Sequence, residues 1–407
     1  MAPRLLLAGL VALAAAGCGG GGEHATKPTP EPTPEEPAAD DRPADDAGAI
    51  QALLGDRARA LEQRDPAAFA GTATGDQRSR DRRAAQRTTR LSLERVRFVA
   101  DELETSGDEA RLAVTMSYRV RGMSRAFLTP RRMIARKTSG GWRVSRDVAR
   151  REPLPWEIAS FTVTRVPHVV LLTPPGVDVA PLRSGLAAAY SEIRRDLPAR
   201  DLPRSVLVIG ARDATQAARL AGRIARGVVA LANVSVEFGP APAREVERVL
   251  SQRMLVIASR WSALPEPERQ ATLVHEMTHT ALDPDTSGRT PPWLAEGVAM
   301  YVSGDDRAEE ARLRAGGAAE SIQLRRLCKP DSIFKLNGQE QGAAYAASSG
   351  AAEAIVARHG TPALFRLYDA FNDSTIDGPT CAATTDRMLR RTLGMSLPEL
   401  DAAVAAG

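Results

Sequence analysis

Two histidines and a glutamate in the run Leu273-Val274-His275-Glu276-Met277-Thr278-His279-Thr280 carry the strongest chemical signal in this 407-residue chain. On an α-helix, residues four apart are turned by about 40° and displaced by about 6 Å. His275 and His279 therefore leave one face, and both imidazoles can reach a single zinc ion. Glu276 stands one step round the helix, beside the ion rather than on it, where a general base for an activated water belongs. The surroundings are helical: Pro265 to Arg269 opens the segment, Ala271, Leu273 and Val274 continue it, and Asp283-Pro284 ends it. The chain has five histidines, and two fall in this pattern, which makes a chance pairing of core or surface histidines the weaker explanation.

A two-histidine site needs a third protein ligand, which a carboxylate on a following helix can supply while leaving a position for water. With Pro292-Trp293-Leu294-Ala295-Glu296-Gly297-Val298-Ala299-Met300-Tyr301 added, the chain resembles the gluzincin metallopeptidases, aminopeptidase-N-like enzymes in particular. Their two-histidine helix is followed by a Trp-Leu-x-Glu-Gly helix whose glutamate binds zinc. The resemblance assigns that role to Glu296, across a spacer slightly shorter than usual. It also implies that Tyr345, in Ala344-Tyr345-Ala346-Ala347-Ser348-Ser349, donates a hydrogen bond to the tetrahedral oxyanion, with Tyr301 as a rival. The implied activity is zinc-dependent hydrolysis of peptide or protein substrates. The Gly-x-Met-x-Asn strand by which aminopeptidases help to hold a free amine is not found before His275, so internal and terminal cleavage stay open. The rival expectation is an inactive surface protein acting as a binding or scaffold module. His168 and His359 show no ligand spacing, and His24 lies in a polar stretch.

The elements that must position these groups follow an address sequence. Met1 to Arg4 is basic, Leu5 to Ala16 is apolar, and Ala15-Ala16-Gly17-Cys18 resembles the lipobox of bacterial lipoproteins, in which the cysteine is lipidated. The expectation is a signal peptide over 1–17, an anchor at Cys18, an extracytoplasmic location on the cell membrane, and a disordered tether over 18–46, rich in Pro, Glu, Thr, Asp and Ala. Outside the cytoplasm thiols tend to oxidise, so Cys328 and Cys381 are expected to form a disulfide.

Apolar spacing predicts a helix over 47–64 and a short one from Pro66, followed by strands near 91–104, 110–121, 125–138 and 141–149, with clear alternation in Leu112, Val114, Met116, Tyr118 and Val120. Helices followed by an antiparallel meander resemble the nuclear transport factor 2-like (NTF2-like) cone fold over 47–150. Residues 155–407 mix strands (Val169–Leu172, Ser205–Ile209, Val228–Phe238) with helices, so the fold class expected throughout is α+β, the second part being zincin-like.

Charge and composition exclude other classes. Net charge is +4, but only four of the 54 basic residues are lysine and aromatics are 4 %, a poor endowment for stacking on nucleic acid. After the N-terminus no apolar run reaches the roughly 20 residues needed to span a bilayer. Three cysteines cannot build a four-thiolate zinc site. The arginines at 78, 80, 82, 83, 87 and 90 read as a solvated face that can also meet anionic lipid or polymer, and the first domain has a cell-envelope ligand as one possible partner.

Overall fold

The computed structural model describes residues 42–150, 152–197, 202–222, 228–238, 246–282, 290–305, 322–328, 332–333, 336, 338–371 and 381–406. The signal segment, Cys18 and most of the expected tether lie outside these residues. The fold is α+β, and residues 42–407 group as one compact unit.

Helix α1 (Arg42–Glu62) begins five residues earlier than apolar spacing suggests. Asp45 lies in its first turn, where a negative charge meets the helix dipole favourably. Asp46 accepts from Trp142 Nε1 at 2.9 Å and pairs with Lys137 at 2.7 Å. Polar residues start the helix because their partners lie in a hairpin about ninety positions away, which local periodicity does not report. In α2 (Pro66–Gly71), Asp65 caps the amides of Ala67 and Ala68, and Pro66 occupies a position where a missing N–H costs nothing. Helix α3 (Gly75–Thr88) buries Gln77, Asp81, Ala85 and Thr88 along one side.

These helices cover one face of an antiparallel sheet in the order β1 (Leu93–Ser106), β2 (Glu109–Val120), β3 (Phe127–Thr138), β4 (Gly141–Ala149). Inward positions of β2 alternate as Ala110, Leu112, Val114, Met116, Tyr118 and Val120, all buried. Between helices and sheet lies a buried ion-pair network. Arg57 bonds Asp81 at 2.7 Å and Asp147 at 3.2 Å, and Arg131 bonds Asp147 and Glu157 at 2.6 Å each. Burial alone would favour neutral Arg131, but the two carboxylates outweigh it and hold the guanidinium charged.

Glu157 belongs to the short helix α4 (Pro155–Ile158), which leads to a second sheet. Its order is β5 (Thr162–Val166), β6 (Val169–Thr173), β7 (Val206–Ala211), β9 (Val246–Ile257), β8 (Ala230–Phe238). The β6–β7 and β7–β9 pairings are parallel, whereas β5–β6 and β8–β9 are antiparallel. Strands β6 and β7 are buried at every position, as parallel strands covered on both faces must be. One face, with Val169, Leu171, Val208, Met254 and Val256, packs on α5 (Ala180–Asp196) and α8 (Glu266–Leu282). The other, with Val170, Leu172, Leu207, Ile209 and Leu255, continues the core of the first sheet. Short helices α6 (Ala214–Ala221) and α7 (Ala258–Trp261) flank the sheet. Beyond α8 come α9 (Pro292–Ser303), α10 (Gly338–His359), α11 (Thr361–Ala370), α12 (Cys381–Leu393) and α13 (Leu397–Ala406).

Tyr118 marks the junction of the two sheets. Its ring is stacked on Phe127 and edge-on to Trp156, with centroids 5.4 and 4.9 Å away. Burial pushes its phenol from the usual 10.0 up to about 12. The neutral phenol is the form the fold prefers, so this contribution is fully present below about pH 10 and is lost as the pH rises through about 12, amounting to about 3 kcal/mol at most. Ultraviolet titration of the folded protein is expected to show a late-ionising component that Tyr118→Phe diminishes by one tyrosine. Ionisation of Tyr118 together with exposed phenols would contradict this burial.

Candidate metal centre

Helix α8 forms because its apolar positions fall on one side: Leu273, Val274, Met277 and Ala281 are buried against the second sheet and α5. Gly185 of α5 leaves the space that Leu273 fills, since a Cβ there would lie 2.8 Å from Leu273 Cδ1. Glu266 and Glu268 sit in the first turn, where the helix dipole favours acids. Thr272, Thr278 and Thr280 turn their hydroxyls back to the carbonyls of Glu268, Val274 and Glu276 at 2.8–2.9 Å, which satisfies polar groups that would otherwise be buried unpaired. His275, Glu276 and His279 lie on the half-exposed side of the helix.

Helix α9 starts with Pro292 and ends at Gly304 in the left-handed conformation, whose N–H returns to the Met300 carbonyl. It buries Trp293, Leu294, Glu296, Gly297 and Val298. At Gly297 it crosses α10 so closely that a Cβ would run into the Ser348 carbonyl and lie 3.3 Å from the Ala352 Cβ. The glycine therefore sets the seat of α9, and with it the position of the neighbouring Glu296.

The three expected ligands come together. His275 Nε2 and His279 Nε2 are 3.2 Å apart, and each is 3.3 Å from Glu296 Oε2. Among the described residues this is the one His/Cys/Asp/Glu group arranged to hold a metal ion. A tetrahedral ion with ligand bonds of about 2.0–2.1 Å has ligand atoms about 3.3–3.4 Å from one another. The observed triangle is thus one face of such a tetrahedron, and the donor set of two imidazoles and a carboxylate fits zinc. Burial pushes the Glu296 carboxyl up, but the charge of His279 and hydrogen bonds from both imidazoles outweigh it and hold the group well below the usual carboxylate range. The site is built to keep Glu296 ionised next to positive charge.

Glu276 points elsewhere, to the edge of the second sheet. Its Oε2 accepts the backbone N–H of Ala232 on β8 at 2.5 Å. Gln252 of β9 binds the Thr280 carbonyl, a second tie between that sheet and α8. This edge-strand amide was not read from the sequence: the expected strand at Val228–Phe238 is present, but a backbone donor leaves no residue-type signature.

Tyr345 lies in the second turn of α10, half-buried against Met300 and Ala346. The Tyr301 hydroxyl instead meets Thr361 Oγ1 at 2.8 Å. His168 stacks on Tyr190 in the β5–β6 turn, and His359 ends α10; neither joins the triangle. Cys328 and Cys381 are neighbours, yet both are free thiols rather than the expected disulfide. The Cys381 thiol is directed at the Cys328 carbonyl at 2.6 Å, and Cys328 Sγ lies 3.3 Å from Thr385 Oγ1, so each sulfur has a polar partner other than a bonded sulfur.

No protein-family model matches the chain, and no curated protein matches it. Among solved structures, an M1 zinc metallopeptidase from Deinococcus radiodurans aligns at 12 % identity and a TM-score of 0.34, covering 76 % of this chain and 60 % of its own. A two-domain M1 zinc metallopeptidase aligns at 13 % identity and a TM-score of 0.32, covering 67 % and 59 %. The chain thus spans about three fifths of the length of these metallopeptidases. A Mycobacterium tuberculosis protein of unknown function aligns with 28 % of this chain at 21 % identity and a TM-score of 0.25, covering 76 % of its own length.

Gly297→Ala is expected to push α9 off α10, destabilise the fold by about 1–3 kcal/mol and weaken zinc binding about tenfold or more, because Glu296 moves with its helix. Urea unfolding and a competitive zinc titration read the two effects. Unchanged values for both would contradict the role given to this crossing.

Proposed function

We propose that the protein is a zinc-dependent metallopeptidase of the gluzincin type, anchored outside the cytoplasm through a lipid on Cys18, with an NTF2-like module over 47–150 ahead of a catalytic module over 155–407. The observation that carries the reading is the 3.2–3.3 Å triangle of His275, His279 and Glu296, with Glu276, a glutamate outside the triangle, on the same helix. Purely structural zinc sites are closed by four protein ligands, whereas three ligands leave a position for water.

A zinc ion held there would supply a Lewis acid and a water acidic enough to lose its proton near neutrality. Glu276 would be the residue to take up a proton from a water held there and to return it to the departing amine. The Ala232 N–H fixes one of its carboxylate oxygens, which orients the base. The Tyr345 hydroxyl is assigned to donate to the oxyanion as the tetrahedral centre forms.

Glu276→Gln keeps the shape of the side chain and removes the base. It is expected to lower peptide hydrolysis by at least about a hundredfold while leaving zinc content at one ion per chain. A zinc-loaded Glu276→Gln protein with undiminished activity would overturn the mechanism. A wild-type protein that binds zinc but cleaves nothing in a broad peptide library would favour the scaffold reading.

A further inference from the structure

Two large apolar side chains stand exposed among the described residues, Val99 at 50 % and Val148 at 38 %, and both lie on one surface, the face of the first sheet turned away from its helices. Strand alternation puts Ala113 of β2 and Leu128, Pro130 and Ile134 of β3 on the same face. These four are half-buried, yet among the described residues none of them joins either apolar core. The charges of the face are sorted. The register lines up Glu102, Ala113, Arg132 and Val148 in one row across the four strands, and Glu104, Arg111, Ile134 and Arg146 in another. Acids therefore stand at the β1 end of each row and arginines at the β3–β4 end. Arg111 is occupied by Glu109 at 3.2 Å, but Glu102, Glu104, Arg132 and Arg146 have no ion-pair partner among the described residues.

A face with acids along one edge, arginines along the other and apolar side chains between them is complementary to its own copy. Turning a second copy about a two-fold axis parallel to the strands lays β1 on β4 and β2 on β3, so that each row meets its own reverse. Glu104 then comes over Arg146 of the second copy, and Glu102 comes beside its Arg132. An axis across the strands would instead lay acid on acid, so the charges select one arrangement. Sheets that pack face to face keep their strands nearly aligned, which the selected axis provides. We propose that the protein forms a two-fold dimer through this outer face of the first sheet, the same patch on each copy covering Val99 and Val148 of the other. Apolar side chains at the centre supply the contact area, and the sorted charges around them fix the orientation.

The test is sedimentation of the chain from residue 18 onward carrying Cys18→Ser, so that no acyl chain contributes. A monomer–dimer equilibrium is expected, weaker at high salt. Two charge-reversed proteins, one with Glu102→Arg and Glu104→Arg and the other with Arg132→Glu and Arg146→Glu, should each dimerise about tenfold or more weakly, because like charges then face one another at both ends of the contact. Mixed in equal amounts they are expected to form a heterodimer, since both ends again pair opposite charges. The four side chains are exposed, so the melting temperatures should match that of the parent. Val99→Gln with Val148→Gln leaves every charge in place and should also weaken the dimer. A parent chain that stays monomeric at every concentration, a dimer that both reversed proteins keep, or reversed proteins that fail to recover on mixing would overturn the proposal. The measurement reads mass alone, so its outcome is independent of zinc binding and of peptidase activity.

Discussion

Everything distinctive about this molecule depends on holding a buried carboxylate about 3.3 Å from two imidazole nitrogens. Glu296 is buried, and a lone buried carboxylate would cost several kcal/mol. Its neighbours offset that cost: the imidazoles lower its pKa despite the burial, and a divalent cation at the centre of the three donor atoms would do so more strongly. The geometry of the triangle is inherited from helix packing. α8 fixes two corners through its four-residue spacing, and α9 fixes the third through the contact of Gly297 with the backbone of α10.

The first module and the second sheet are joined mechanically as well as covalently. Residues on one face of β6, β7 and β9 belong to the same apolar cluster as the inner face of the first sheet, and the other face of those strands supports α8. The same sheet supplies β8 and β9, the strands that contact Glu276 and Thr280. The buried ion-pair network of Arg57 and Arg131 fills the interior between helices and sheet with charges that need one another. This makes that interior a rigid support more than a place for a ligand.

Much of the site was legible because its signal is local. The i, i+4 spacing of His275 and His279, the adjacent Glu276 and the motif around Glu296 are each contained within one helix, and helix geometry converts their spacing into direction. The alternation in β2 and the span of β8 were readable for the same reason. What escaped is what tertiary contacts decide. The start of α1 depends on Trp142 and Lys137, far along the chain. The meaning of Gly297 depends on a backbone carbonyl of another helix. The partner of Glu276 is an amide, identical in every residue but proline. The cysteine pair shows the same limit: composition and compartment pointed to a bond, but the two sulfurs turn to a carbonyl and a hydroxyl.

The central claim is that two imidazoles and one carboxylate share a single ion. X-ray absorption at the zinc edge of the metal-loaded protein tests it most directly. The account predicts one zinc per chain, in a four-coordinate shell of light atoms at about 2.0–2.1 Å, showing the multiple-scattering pattern of two imidazoles, one of which is lost in His279→Ala. A zinc ion with no imidazole in its shell, or a protein that binds no zinc at all, would contradict it.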